Sequence, residues 1–127
     1  MTIDTITEQI IKCAMKVHSK LGPGLLERAY EVCLRHEIEK AGMEVSSQVQ
    51  MPVTYDDINI DIGYRVDLLV EDKVIVELKS VETITNLHKA QLLSYLKLGD
   101  KNVGLLINFN VEHLKQGITR MVNNYAG

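Results

Sequence analysis

Asp67, Glu77 and Lys79 stand inside "YRVDLLVEDKVIVELKS", residues 64–80, a stretch otherwise rich in valine, leucine and isoleucine. Two carboxylates kept close together resist joint ionisation unless a cation lies between them. A hard divalent ion such as Mg²⁺ takes a few carboxylate oxygens and leaves positions for water and for phosphate oxygens. An ammonium beside it can stabilise developing negative charge or help prepare a water nucleophile. Brought together, the three side chains suit attack on a phosphodiester.

The surrounding elements must do the bringing together. The stretch reads as two β-strands around "EDK", and on the second strand Glu77 and Lys79 share a face because they are two residues apart. Whether Asp67 joins them depends on the turn. If Val70 opposes Val74 across a three-residue loop, Asp67 lies opposite Glu77 and Arg65 opposite Lys79. A two-residue loop opposes Asp67 to Val76 instead and separates the groups. A plainer reading, a surface hairpin with cross-strand ion pairs such as Arg65 to Glu77, stays open on spacing alone.

The chain has 127 residues, 46% hydrophobic and 24% charged, which suits one domain around one core. Its formal charge of -3 gives no global basic field, so contact with nucleic acid has to come from a local patch. Cys13 and Cys33 make no disulfide framework, and His18, His36, His88 and His113 are too scattered for a zinc site. The N-terminal stretch lacks the basic and apolar regions of a signal peptide, and no apolar run approaches the ~20 residues of a membrane span. The expectation is a soluble, cytoplasmic protein with no membrane partner.

Periodicity supplies the elements. Ile3, Ile6, Ile10, Ala14 and Val17 recur at helical spacing, predicting a helix over residues 4–20. "LGPGLLE" breaks and restarts the chain, and a second helix runs from Leu25 to Ala41, stopped by Gly42. From Val45 the period becomes two, giving a strand through Tyr55 that Pro52 makes irregular or marginal. After the "YDDIN" turn come strands over 62–70 and 74–79. A helix over "TNLHKAQLLSYLKL", a wholly apolar strand "VGLLINF" and a closing helix from Val111 to Tyr125 complete the order α-α-β-β-β-α-β-α. A meander followed by a helical crossover predicts an α/β fold, a mixed sheet of about four strands flanked by helices.

Two further patterns accompany the hairpin. "GLLERAY" is G-x-x-E-x-x-Y, from Gly24 through Glu27 to Tyr30, and "QLLSY" is Q-x-x-x-Y, Gln91 and Tyr95. With "VDLLVEDKVIVELKS" they resemble the PD-(D/E)xK nuclease superfamily, specifically its small GxxExxY family, across nearly the whole chain. The resemblance implies a restriction-endonuclease-like fold, a single nuclease-like domain over residues 1–127, and Mg²⁺-dependent hydrolysis of nucleic acid, with DNA the expected substrate and Mn²⁺ a substitute ion. It assigns Asp67 and Glu77 as metal-binding acids, Glu27 as the helix carboxylate that joins them, the backbone carbonyl of Leu78 as a further ligand, and Lys79 as the residue that activates or orients water. Gln91 and Tyr95 match the RecB-like QxxxY motif, which supports the site and contacts DNA. Tyr30, grouped with them, is expected in the core with its hydroxyl near Glu27. The proline of the superfamily name is Val66 here, at a position known to vary.

Glu31, one turn after Glu27, is a candidate stand-in ligand, with a solvated helix face as the alternative. The alternative for the whole chain is a nucleic-acid-binding or accessory module that keeps the nuclease fold without turnover. So small a chain has little surface for gripping a duplex, which makes a homodimer a reasonable expectation.

Overall fold

The computed structural model describes residues 1–126. Helix α1 (Ile3–Leu21) starts at Thr2, whose side chain accepts from the N–H of Thr5. Helix α2 (Glu27–Lys40) follows a turn containing Gly22, Pro23 and Gly24, where both glycines have positive φ. Strands β1 (Val45–Gln50), β2 (Val53–Tyr55), β3 (Ile58–Ile60), β4 (Arg65–Val70) and β5 (Val74–Lys79) come next. Helix α3 (Asn86–Leu98) then leads to β6 (Val103–Asn108), a short 3-10 turn (Leu114–Gly117) and β7 (Ile118–Val122).

Five strands form one mixed sheet in the order β1-β4-β5-β6-β7. β5 and β6 pair in parallel through the α3 crossover, and the other neighbours are antiparallel. Helices α1 and α2 cover one face, where Ile6, Ile10, Leu34 and Ile38 meet Leu68, Val76, Leu78 and Ile107. Helix α3 covers the other, packing Leu92, Tyr95 and Leu96 against Val66, Ile75 and Leu106. Burial on both faces explains why β6 reads as an unbroken apolar run: all six of its residues are buried.

The expected strand from Val45 through Tyr55 divides at Met51 and Pro52, as proline's missing donor requires. Likewise the strand expected from Ile62 begins only at Arg65. Between them β2 and β3 form a separate hairpin that extends beyond the sheet.

The closing helix expected from Val111 to Tyr125 is absent; a 3-10 turn and the strand β7 occupy that segment. Val111, Leu114, Ile118, Met121 and Val122 do recur at helical spacing, but Gly117 interrupts them and β-branched Ile118, Thr119 and Val122 favour a strand. β6 also needs a partner on its second edge, and β7 supplies it from Ile107↔Ile118 to Val103↔Val122. Gly117 fits because a Cβ there would stand 2.2 Å from the carbonyl oxygen of Asn108.

Candidate active site

The β4–β5 turn settles the register. Val70 opposes Val74, Leu69 opposes Ile75 and Leu68 opposes Val76, so Asp67 and Glu77 come next in line. There the backbone ladder stops and side chains replace it. The N–H of Asp67 donates to Oε1 of Glu77 at 3.3 Å, and the N–H of Leu78 donates to Oδ2 of Asp67 at 2.8 Å. The two acids thereby sit in the fork between separating strands.

Alternation fails on β4 and on its neighbour β1 at this level. Leu68 and Val70 pack beneath α1 and α2, whereas Val66 packs beneath α3, although strict period two puts all three on one face. On β1 the same reversal separates Val45 from Val49. Between them lies Gln48, a non-glycine residue with φ of 52°, in the left-handed region. Its register position is directly opposite Asp67, since Ser47 pairs with Leu68 and Val49 with Val66. Asp67 therefore leaves the plain alternation expected of it and turns toward α2.

Charge makes this a demanding place. Glu77 is only 6% exposed, and Asp67 and Lys79 are half-buried. Burial, and after it the charge and carboxyl group of Asp67, pushes Glu77 up to about 9; the Lys79 ammonium opposes that rise. Burial first, and then Glu77, also raises the phenol of Tyr95 on α3. Among the described residues Asp67, Glu77 and Lys79 enter no salt bridge.

Main-chain geometry adds an acceptor. The carbonyl of Lys79 accepts from Phe109 on the β6 side, while the N–H of Leu78 points to the β4 side. Because N–H and C=O of one strand residue point the same way, the Leu78 carbonyl also faces the fork. The donor set of this fork, two adjacent carboxyls and one carbonyl with no cation paired to them, fits a hard divalent ion. Among the described residues no three acids, histidines or cysteines converge into a preformed cage.

The α2 acids occupy two different positions. Glu27 is exposed at the first turn and accepts from the N–H of Ser80 at 3.4 Å, just past Lys79. Ser80 also reaches the carbonyl of Leu25 through its hydroxyl, at 2.6 Å. Glu27 thus stands at the rim of the fork and makes no hydrogen bond with Asp67 or Glu77. Glu31 is 5% exposed, which overturns the solvated-face alternative for it. Its Oε1 accepts from Gln48 at 2.8 Å and its Oε2 takes the Arg28 guanidinium, so both oxygens are engaged. Burial, and then Asp67, raises its carboxyl.

Tyr30 is fully buried, so contact with nucleic acid is ruled out for it. Its hydroxyl donates to the carbonyl of Gly22 at 2.6 Å and accepts from the N–H of Leu25, two residues before Glu27, at 3.1 Å. The ring stacks on Phe109, centroids 4.4 Å apart. Tyr30 supports the site from below by fixing the turn that presents Glu27.

On α3, Gln91 is exposed and Tyr95 buried, and both line an open cleft of about 660 Å³ between that helix and the β2–β3 hairpin. Tyr64 faces Tyr95 across it, ring centroids 6.2 Å apart. His88 caps α3: its Nδ1 accepts from the N–H of Thr85. Gln48 is the site residue that sequence reasoning missed, because a glutamine in a β-patterned stretch carries no signal of a left-handed backbone.

A family model described as the PD-(D/E)XK nuclease superfamily matches residues 4–121. The chain belongs to the PD-(D/E)XK nuclease superfamily. Its five-stranded mixed sheet with flanking helices is of the restriction-endonuclease-like kind. No curated protein and no solved structure matches the chain. The superfamily match reaches from the start of α1 to the end of β7, so it takes in the fork, α2 and the α3 cleft together.

Proposed function

We propose that the chain is a metal-dependent nuclease that hydrolyses phosphodiester bonds of DNA, a member of the GxxExxY group within its superfamily. The observation that carries the reading is the fork itself. Asp67 and Glu77 meet where β4 and β5 part, in a partly buried place where burial and the Asp67 charge push the Glu77 carboxyl up to about 9. A group so perturbed beside a like-charged partner is a candidate for chemistry.

Asp67, Glu77 and the Leu78 carbonyl hold Mg²⁺ or Mn²⁺ in this reading, and Glu27 extends the site from its rim. When bound, the ion supplies Lewis acidity toward a phosphoryl oxygen and positive charge against the developing anion. Lys79, next on the same strand face as Glu77, orients the attacking water and offsets negative charge in the transition state. Gln91 and Tyr95 line the α3 cleft, with Val53 of β2 and Tyr64 on its other side, and contact nucleic acid there. The small surface around the fork leaves room for a second copy of the chain to share the grip on a duplex.

The test is a cleavage assay on single- and double-stranded DNA and RNA with Mg²⁺, Mn²⁺ or EDTA. The reading expects cleavage of DNA that needs the ion. Binding without turnover in every ion condition supports the accessory-module alternative instead.

A further inference from the structure

We propose that Gln48 is a positioning residue for Asp67, tying that carboxylate to the buried Glu31 of α2 through one carboxamide. The inference rests on the functional reading above and names a residue that none of the sequence motifs contains. Nε2 of Gln48 donates to Oε1 of Glu31 at 2.8 Å and to Oδ1 of Asp67 at 3.3 Å. Both amide hydrogens therefore point at carboxylates, which fixes the orientation of the amide. The other oxygen of Asp67 is already taken by the N–H of Leu78. With one bond on each oxygen, the plane of the Asp67 carboxylate is set from two sides, by β1 and by β5.

The backbone of Gln48 points the same way. Gln48 has φ of 52°, a conformation in which a side chain longer than that of asparagine or aspartate is uncommon. Strain of this kind persists where surrounding structure imposes it, and it gathers at functional sites. Here it turns the Gln48 side chain to the α2 face directly after Ser47, which itself meets Arg35 of α2. Without that turn, alternation sends the carboxamide to the α3 face and away from Asp67.

Glu31 anchors the device and is not itself a ligand in this arrangement. Both of its oxygens are engaged, one by Gln48 and one by Arg28. An extended connection follows: Arg28, Glu31, Gln48, Asp67, Leu78. It runs from α2 across β1 and β4 to β5. Outer groups of this type orient a metal-binding carboxylate, and their loss typically costs about 10–100-fold in affinity or activity.

Gln48→Gly and Gln48→Met separate positioning from mere support. Glycine accepts the left-handed backbone without strain, and that relief partly offsets the hydrogen bond Glu31 loses, so Gln48→Gly still folds while lacking the donor. Methionine keeps the length of the side chain and lacks the donor. Positioning predicts Mn²⁺ affinity, measured by calorimetry, lower by about 10–100-fold in both variants, with kcat for DNA cleavage falling and KM little changed. Mn²⁺ affinity and kcat equal to wild type in both variants overturn the proposal and leave the nuclease reading standing. A wild-type chain that neither binds Mn²⁺ nor cleaves DNA overturns the nuclease reading, and this proposal falls with it.

Discussion

Leu78 donates its backbone N–H to Oδ2 of Asp67 at 2.8 Å, where an antiparallel partner strand ordinarily provides a carbonyl. That one substitution of side chain for backbone ends the β4–β5 ladder and opens the fork. It also explains how an acid from β4 and an acid from β5 come to face each other in a partly buried place. The consequences can be measured.

Glu77 sets the first. Its carboxyl is raised to about 9 in the metal-free chain and ordinary, near 4.5, when unfolded. A raised folded-state value gives stability that is full below the unfolded pKa and lost as pH climbs to the folded one. The metal-free protein should therefore lose melting temperature from Glu77 between about pH 4.5 and 9. Glu77→Gln, which stays neutral throughout, should flatten that slope in EDTA. Thermal melts across this range, wild type beside variant, provide the check.

A bound cation reverses the balance. An ion that recognises only the native fork stabilises it by mass action, and it must displace the Glu77 proton to bind. Millimolar Mg²⁺ or Mn²⁺ should raise the melting temperature, with a larger shift at pH 8 than at pH 5, as about one proton per bound ion is released at neutral pH. Asp67→Asn should reduce the shift. Calorimetry in buffers of different ionisation enthalpy counts the released protons.

Lys79→Ala should remove cleavage and leave metal binding largely in place. Loss of one positioned group that acts in the transition state costs about 10²–10³ in rate, and kcat should fall more than KM rises. Lys79→Arg should rescue poorly because a guanidinium is planar, bulkier and unable to give up a proton. If Lys79 is only a rim charge, the alanine variant cleaves as fast as wild type.

Gly117→Ala discriminates between the two readings of the C-terminal segment. In a helix interior that change stabilises by about 1 kcal/mol. Here the new Cβ meets the carbonyl of Asn108, a buried residue whose carboxamide also holds Val81 from both sides. The variant should be markedly less stable, by several degrees of melting temperature, with β6 and β7 the strands most exposed to hydrogen exchange.

Much of this arrangement is legible in the amino-acid sequence. The helix over 3–21 follows its apolar spacing, and those over 27–40 and 86–98 fall in the stretches expected of them. Of the two registers open to the β4–β5 turn, the structure adopts the one with the three-residue loop. What escaped the sequence has physical causes. The stripe from Val111 to Val122 satisfies a helix and an edge strand alike, and only the open side of β6 decides between them. The reversal of faces at Gln48 and Asp67 depends on one backbone angle, and a period-two pattern has no means of recording it. For the same reason the sequence leaves Glu31 open between a stand-in ligand and a solvated face: its burial involves β1, which brings Gln48 against it from another part of the chain.

The most direct test of the account is DNA cleavage by the wild-type chain in Mg²⁺, Mn²⁺ and EDTA, with Glu77→Ala measured alongside. The account predicts strand breaks that appear with either ion, vanish in EDTA and are absent from the folded Glu77→Ala variant. Cleavage that persists in EDTA, or that Glu77→Ala retains at the wild-type rate, contradicts it.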